Sequence, residues 1–468
     1  MSQTVTMGQT VRTYSTLAIP RPENLLYGVS PLPLSCGLGL TVGAGQVFPE
    51  VNFTLPAMNI APGTWTEVVA HYDEMAAQIL RRAVSLGVPG IVLEFELLPP
   101  MTELPEWGAE ITAVLKRHLK ACYENHHLPS ALRVTPTDIR DRQKPPLMRT
   151  GEPWQRLKRS FELCAEAGAD ILSIESIGGK EVHDQALMYG DFPGIVFALG
   201  VLAPKDMSWL WAQIGSICAA HPGTVSGADS ACGFANTAMQ LAHQKMLPEV
   251  LAAVVRAMSA VRSLSAFEQG AVGPSKDCAY EGPVIKAITG CPISMEGKSA
   301  SCAHFSPLGN IAAAMCDLWS NESVQNVRLL SGNAPEAYTE LLAYDCRLMN
   351  SAAATEGGAL QMRNWMIASD EWLSPQAAVL SPEATIRIAN AIVAADTPYH
   401  RVIAAGRAAV EVLKNGVAQG KLRLSRKEQQ WLARIDEALG AFPESEESLL
   451  LELEPQYGSL YDKASYGL

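Results

Sequence analysis

The feature that most constrains this chain is a recurring unit between residues 61 and 330, a helix-forming stretch followed by a short apolar run. Trp65, Val68, Val69, Tyr72, Met75, Ala76, Ile79 and Leu80 recur at helical spacing. Thr64 and Glu67 have the spacing of a capping box, and Gly87 marks the stop. Residues 90–97 follow, apolar except for Glu94 and Glu96. The same order returns six times. Helices are expected over 105–123, 153–167, 180–188, 206–220 (capped by Asp206), 248–265 and 283–288. The strands that follow them are expected at 131–135, 169–175, 194–202, 224–227, 267–272 and 292–295. The run at 267–272 also reads as the frayed end of the helix before it.

With a further strand near 37–42, this gives eight strands, most followed by a helix. Strands alternating with helices pair in parallel through right-handed crossovers. Eight such units predict an α/β fold, a closed (β/α)8 TIM-type barrel. The organisation expected is an N-terminal wrapping segment with the first strand (1–60), the barrel (61–330) and a C-terminal helical addition (331–468). In that addition helical stretches cover 335–351, 382–394, 401–415 and 426–439, and Glu444, Glu446 and Glu447 read as a solvated face.

Charge narrows the function. Against 36 Lys and Arg stand 48 Asp and Glu, a net −12. A nucleic-acid partner requires clustered basic residues to replace phosphate counterions, so none is expected. No signal segment opens the chain, and no run approaches the roughly 18 apolar residues of a membrane helix. The expectation is a cytoplasmic protein with no membrane partner, its ten cysteines reduced. Asn52-Phe53-Thr54 then matches a glycosylation acceptor by chance.

Barrel chemistry sits just beyond the C-terminal ends of the strands. That rule selects Glu175, Cys232 and Cys278, which follow the expected strands at 169–175, 224–227 and 267–272. One carboxylate and two thiols with an open fourth position is the ligation of a catalytic zinc. Each residue also has a plainer reading. A strand-end Glu is more often a cap or ion-pair residue, and an isolated Cys is more often a small buried hydrophobe. Cys164, Cys218 and Cys316 read as core, Cys316 within an apolar helix over 311–319. Cys302 and His304 compete as zinc ligands, and a structural zinc would recruit one of them as a fourth ligand. Glu94 or Glu96 could also reach the rim. Gly297-Lys298-Ser299 is a decoy for a phosphate loop, because six residues rather than four separate Gly290 from Gly297. A zinc aldolase would need His-rich ligation, and the nine histidines form no such cluster.

Several long runs carry a resemblance. They are Leu172-Ser173-Ile174-Glu175-Ser176-Ile177-Gly178-Gly179-Lys180, Ala235-Asn236-Thr237-Ala238-Met239 and Gly270-Ala271-Val272-Gly273-Pro274-Ser275-Lys276-Asp277-Cys278. Ile285-Lys286-Ala287-Ile288-Thr289-Gly290, Trp319-Ser320-Asn321-Glu322-Ser323 and Leu342-Ala343-Tyr344-Asp345-Cys346 continue it. In these runs the chain resembles the catalytic zinc subunit of methanol–corrinoid methyltransferases. Ser275 stands where Gly is commoner. The resemblance implies a barrel with zinc on Glu175, Cys232 and Cys278, and a separate corrinoid-carrying (cobalamin) partner protein. It also implies a homodimer within a larger complex. The reaction implied is transfer of the methyl group of methanol to Co(I), zinc acting as Lewis acid, with Asp229, Asp277 or Glu296 protonating the leaving oxygen. A methoxylated compound or a methylamine as donor, and a non-catalytic zinc scaffold, are the alternatives.

Overall fold

The computed structural model describes residues 12–53, 55, 58–276, 279–298, 300, 305–321 and 335–468. Nine strands are assigned among them: β1 (Val29–Cys36), β2 (Leu40–Ala44), β3 (Phe48–Phe53), β4 (Ile91–Leu97), β5 (Ser130–Pro136), β6 (Ile171–Ile174), β7 (Val225–Asp229), β8 (Ser294–Glu296) and β9 (Leu318–Asn321). β1 and β2 form an antiparallel hairpin. The other seven form one curled parallel sheet in the order β7-β6-β5-β4-β3-β9-β8. The gap between β7 and β8 is crossed by residues 272–275. Val272 N–H donates to Ser226 O (3.0 Å), and Ser275 bridges Ile293 in parallel. A short extended segment therefore takes the eighth position, and helices surround the whole.

The inward faces show why these residues close a barrel. Side chains alternate along a strand, so every second residue points into the interior. At the N-terminal end Phe48, Val92, Ala131, Ile171 and Leu318 form an apolar layer, plugged by Cys36, Leu40 and Val42 of the hairpin. Two residues on, the same strands supply Glu50, Glu94, Arg133 and Ser173, joined by Ser294 of β8. Two further on stand Asn52, Glu96, Thr135 and Glu175. The interior thus grows more polar toward the C-terminal mouth, which is what the two glutamates in the otherwise apolar run 90–97 signal.

Several expectations need correction. Residues 194–202 are not a strand. Phe192–Phe197 is α-helix, Ala198–Leu202 a π-helical turn, and the helix Ala203–Ala220 continues it. Every residue from 194 to 202 is buried, so no polar alternation betrayed the period. Asp206 consequently lies inside that helical run rather than capping it, and its carboxylate pairs with buried Arg140. The expected strand near 37–42 belongs to the plugging hairpin, and β3 supplies the barrel strand instead. Residues 267–272 finish the helix Glu249–Glu268 and then run extended. The expected helix over 311–319 ends at Ala313 and gives way to β9, while Cys316 stays fully buried. Thr64 does not cap its helix through its side chain; its hydroxyl donates to Asn59 O (2.8 Å).

Among the described residues, the two helical stretches long and apolar enough to cross a membrane, Phe192–Ala220 and Glu249–Glu268, are mostly and wholly buried. The second carries Arg256 and Arg262 fully enclosed, and the helix Pro398–Ala418 packs along it. Through that packing the C-terminal helices lie on the outer layer of the barrel.

Candidate functional site

Glu175 immediately follows β6 and is about one-third exposed, at 33%. Ile174 and Asp229 are register partners on the parallel neighbours β6 and β7, so the loop carrying Cys232 leaves the sheet beside the loop carrying Glu175. Cys232 begins a π-helical turn over Cys232–Asn236, and the Asn236 amide donates to its sulfur (3.2 Å). Asp277 and Cys278 lie outside the described residues, as do Cys302 and His304. Their chain neighbour Lys276 is placed, however, and its Nζ lies 3.2 Å from Glu175 Oε1.

Lys276 is the residue that sequence reasoning missed most plainly, although it stood inside a quoted run. Its side chain is only 3% exposed and contacts three carboxylates: Glu94 (3.1 Å), Glu175 (3.2 Å) and Glu96. Glu94 also accepts from Thr135 Oγ1 (3.1 Å), and Glu96 from Asn52 Nδ2 (3.2 Å). Of the two glutamates, Glu96 stands at the mouth and Glu94 is buried one layer below it, and Lys276 reaches both. In that lower layer Arg133 donates to Glu50 (2.6 Å), Ser173 Oγ (2.8 Å) and Pro274 O (2.8 Å), tying four parts of the barrel together. Burial pushes the Glu50 carboxyl above its ordinary range, against the pull of Arg133.

The turn after Glu175 is held through its backbone. Ser176 N–H donates to the Asp229 carboxylate (3.3 and 3.4 Å), Ile177 N–H to Asp138 Oδ2 (3.1 Å) and Gly179 N–H to Tyr466 Oη (3.0 Å). Arg262 pairs with Asp229 (3.2 Å), and Arg140 forks onto both Asp138 (2.7 Å) and Asp206 (2.8 Å). Burial pushes the Asp229 carboxyl up to about 6, opposed by Arg262. The loop of Cys232 is held likewise: Glu281 Oε1 accepts from Ala231 N–H (2.7 Å) and from Ser263 Oγ (2.8 Å). Glu296 ends β8 and is buried. The decoy Lys298 reaches Asp345 (3.2 Å) instead of a phosphate loop.

The thiols divide sharply. Of the eight described cysteines, seven are buried and only Cys232 is partly exposed. Burial pushes Cys164 up to about 11 and Cys218 up to about 12, and holds Cys316 well above a thiol's ordinary value, as inert core thiols require. A carboxylate and an accessible sulfur on adjacent strand ends, with outer-shell partners already in place, match the donor chemistry of a zinc centre.

Known proteins resemble this chain over nearly its whole length. A family model described as the methanol-cobalamin methyltransferase B subunit matches residues 11–467. The methanol–corrinoid protein co-methyltransferase of Methanosarcina barkeri (strain Fusaro) is 38% identical over 461 residues, covering 97% of this chain and 99% of that one. The fold also matches a chain in the crystal structure of the methanol:cobalamin methyltransferase complex MtaBC from Methanosarcina barkeri. The TM-score is 0.91 and the identity 36%, over 98% of this chain and 100% of that one.

Proposed function

This chain belongs to the methanol-cobalamin methyltransferase B subunit family, and from that premise we propose that it transfers the methyl group of methanol to the Co(I) corrinoid of a partner protein. The observation that supports this reading is Glu175 at the end of β6 with Lys276 against it, beside the end of β7 from which the Cys232 loop leaves. Glu175, Cys232 and Cys278 would hold a zinc ion, which when bound supplies Lewis acidity at the methanol oxygen.

The balance of the reaction sets what the protein must provide. Cobalt contributes an electron pair to the new C–Co bond, the C–O bond breaks with its electrons on oxygen, and one proton completes a water molecule. The products are methyl-Co(III) and water. Asp229, Asp277 and Glu296 are the proposed sources of that proton. Asp229 ends β7 and Glu296 ends β8, at the C-terminal end of the barrel, with the Asp229 carboxylate engaged by Ser176 N–H and Arg262. Two thiolates and a carboxylate would outweigh the charge of a zinc ion, leave the site formally negative and blunt its pull on oxygen. The Lys276 ammonium, held against Glu175, returns positive charge to the site. The buried acceptors Asp138, Asp229 and Glu281 fix the ligand-bearing loops before substrate arrives, which lowers the reorganisation needed in the transition state. A homodimer within a larger complex with the corrinoid protein is part of the same proposal.

The test is a spectral assay that follows Co(I) corrinoid converting to methyl-Co(III) with methanol. Activity lost on chelation and restored by zinc supports the reading. Equal turnover after complete zinc removal overturns it, and turnover with a methoxylated compound or methylamine but not methanol reassigns the donor.

A further inference from the structure

Three consecutive supports grip the turn behind Glu175, and they differ in kind. The carboxylates of Asp229 and Asp138 hold Ser176 and Ile177, and each is locked to a fully buried arginine. The third support, at Gly179, is the neutral hydroxyl of Tyr466, 287 positions away in the chain. It comes from the short helix Lys463–Tyr466, whose first turn is capped by Asp462 through Ser465 N–H (2.8 Å). Ser465 Oγ accepts from Met148 N–H (3.2 Å), and Met148 O accepts from Arg140 (2.9 Å). The Tyr466 hydroxyl is therefore carried by the same network that fixes Asp138. Its space is equally defined: a Cβ on Gly178 would lie 2.3 Å from Asp206, so the turn packs directly on the Arg140 cluster.

We propose that Tyr466 is a positioning residue for the metal site, setting the approach of Glu175 through its hydrogen bond to Gly179. The proposal rests on the zinc reading above. Outer partners of metal ligands commonly tune affinity by roughly 10–100-fold. Tyr466 acts one step further out, through the backbone, so the low end of that range is expected. Because binding and ordering are linked, zinc should in turn order the segment 175–180.

The experiment uses the full chain and its Tyr466→Phe variant, which keeps the buried ring and removes only the hydroxyl. Tyr457→Phe serves as a control, since it removes a comparable hydroxyl that donates to Asp191 (2.6 Å) away from the turn. Zinc dissociation constants come from chelator competition, and hydrogen exchange of residues 175–180 is followed with and without zinc. Tyr466→Phe should fold, bind zinc about tenfold more weakly, and regain most of its turnover at saturating zinc. Tyr457→Phe should bind zinc like the parent chain. In the parent chain zinc should slow exchange across 175–180. Unchanged zinc affinity in Tyr466→Phe, equal weakening in both variants, a Tyr466→Phe chain that does not fold, or no zinc effect on exchange each overturns the positioning role while leaving the zinc reading intact. A parent chain that binds no zinc overturns both.

Discussion

Two layers of the barrel interior, built from the same strands two residues apart, behave in opposite ways. In the middle layer Arg133 faces Glu50, both fully enclosed, with Ser173 and Pro274 O accepting from Arg133 and Ser294 donating to Glu50. At the mouth one ammonium, Lys276, faces the carboxylates of Glu96 and Glu175 and reaches down to Glu94 of the layer below. The lower layer is shut off from water: Arg133 pairs with Glu50 there, and Glu94 is held by Thr135 and, from above, by Lys276. The upper layer carries more acid than base and opens toward the loops. Part-exposed carboxylates at a strand-end rim mark where a cation and a substrate are to be accommodated, while the enclosed Arg133–Glu50 pair below marks what holds the strands in register.

That contrast can be broken from either side. The largest effect belongs to the mouth. Cys232→Ala should remain folded yet lose zinc and methyl transfer together, by more than the roughly 10–100-fold that outer-shell changes cost. Metal analysis and the cobalt assay on the same sample check this, and a metal-free variant with parental turnover would refute it. In the middle layer Arg133→Met strands the Glu50 carboxylate in the interior. Its cost falls on stability, about 3–5 kcal/mol by denaturant unfolding, because an uncompensated buried charge is left behind.

Asp229, beneath the Glu175 turn, gives a pH signature. Its folded value of about 6 lies above an unfolded carboxylate near 4, so the folded state binds more protons between those limits. Its contribution is therefore fully present at low pH and is lost as pH rises from about 4 to about 6. The unfolding free energy of the parent minus that of Asp229→Asn should decline across that window by up to about 2–3 kcal/mol and stay flat above it. The smallest effect separates charge from ligation. Lys276→Met removes a cation beside the metal site, so zinc affinity should rise while kcat falls, each by roughly tenfold. Movement of both in the same direction would make Lys276 a structural residue.

How much of this could be read from residues alone depends on how local the signal was. Glu175 and Cys232 were legible because strand ends are marked by short apolar runs and glycine-rich turns. The helix Trp65–Leu86, with Gly87 left-handed at its end, followed from the 3.6-residue period. Residues 194–202 misled because a wholly buried helix has no polar face. β3 and β9 escaped notice because of what surrounds them in the sequence. One contains Pro49 after a Pro- and Gly-rich stretch, and the other follows directly on the apolar helix Gly309–Ala313. The partners of Glu175 were illegible for a different reason. Lys276, Asp138, Asp229 and Tyr466 come from four separate places in the chain, and only the closed barrel brings them together.

The central assertion is that one carboxylate and two sulfurs, none of them neighbours in sequence, share a zinc ion that keeps a place for an alcohol. X-ray absorption at the zinc edge of the purified protein tests it most directly. The account predicts two sulfur ligands at about 2.3 Å with the remaining ligands oxygen, one sulfur fewer in Cys278→Ala, and an oxygen shell that responds to methanol. Four protein ligands with no response to methanol, or an unchanged sulfur count in Cys278→Ala, would contradict it.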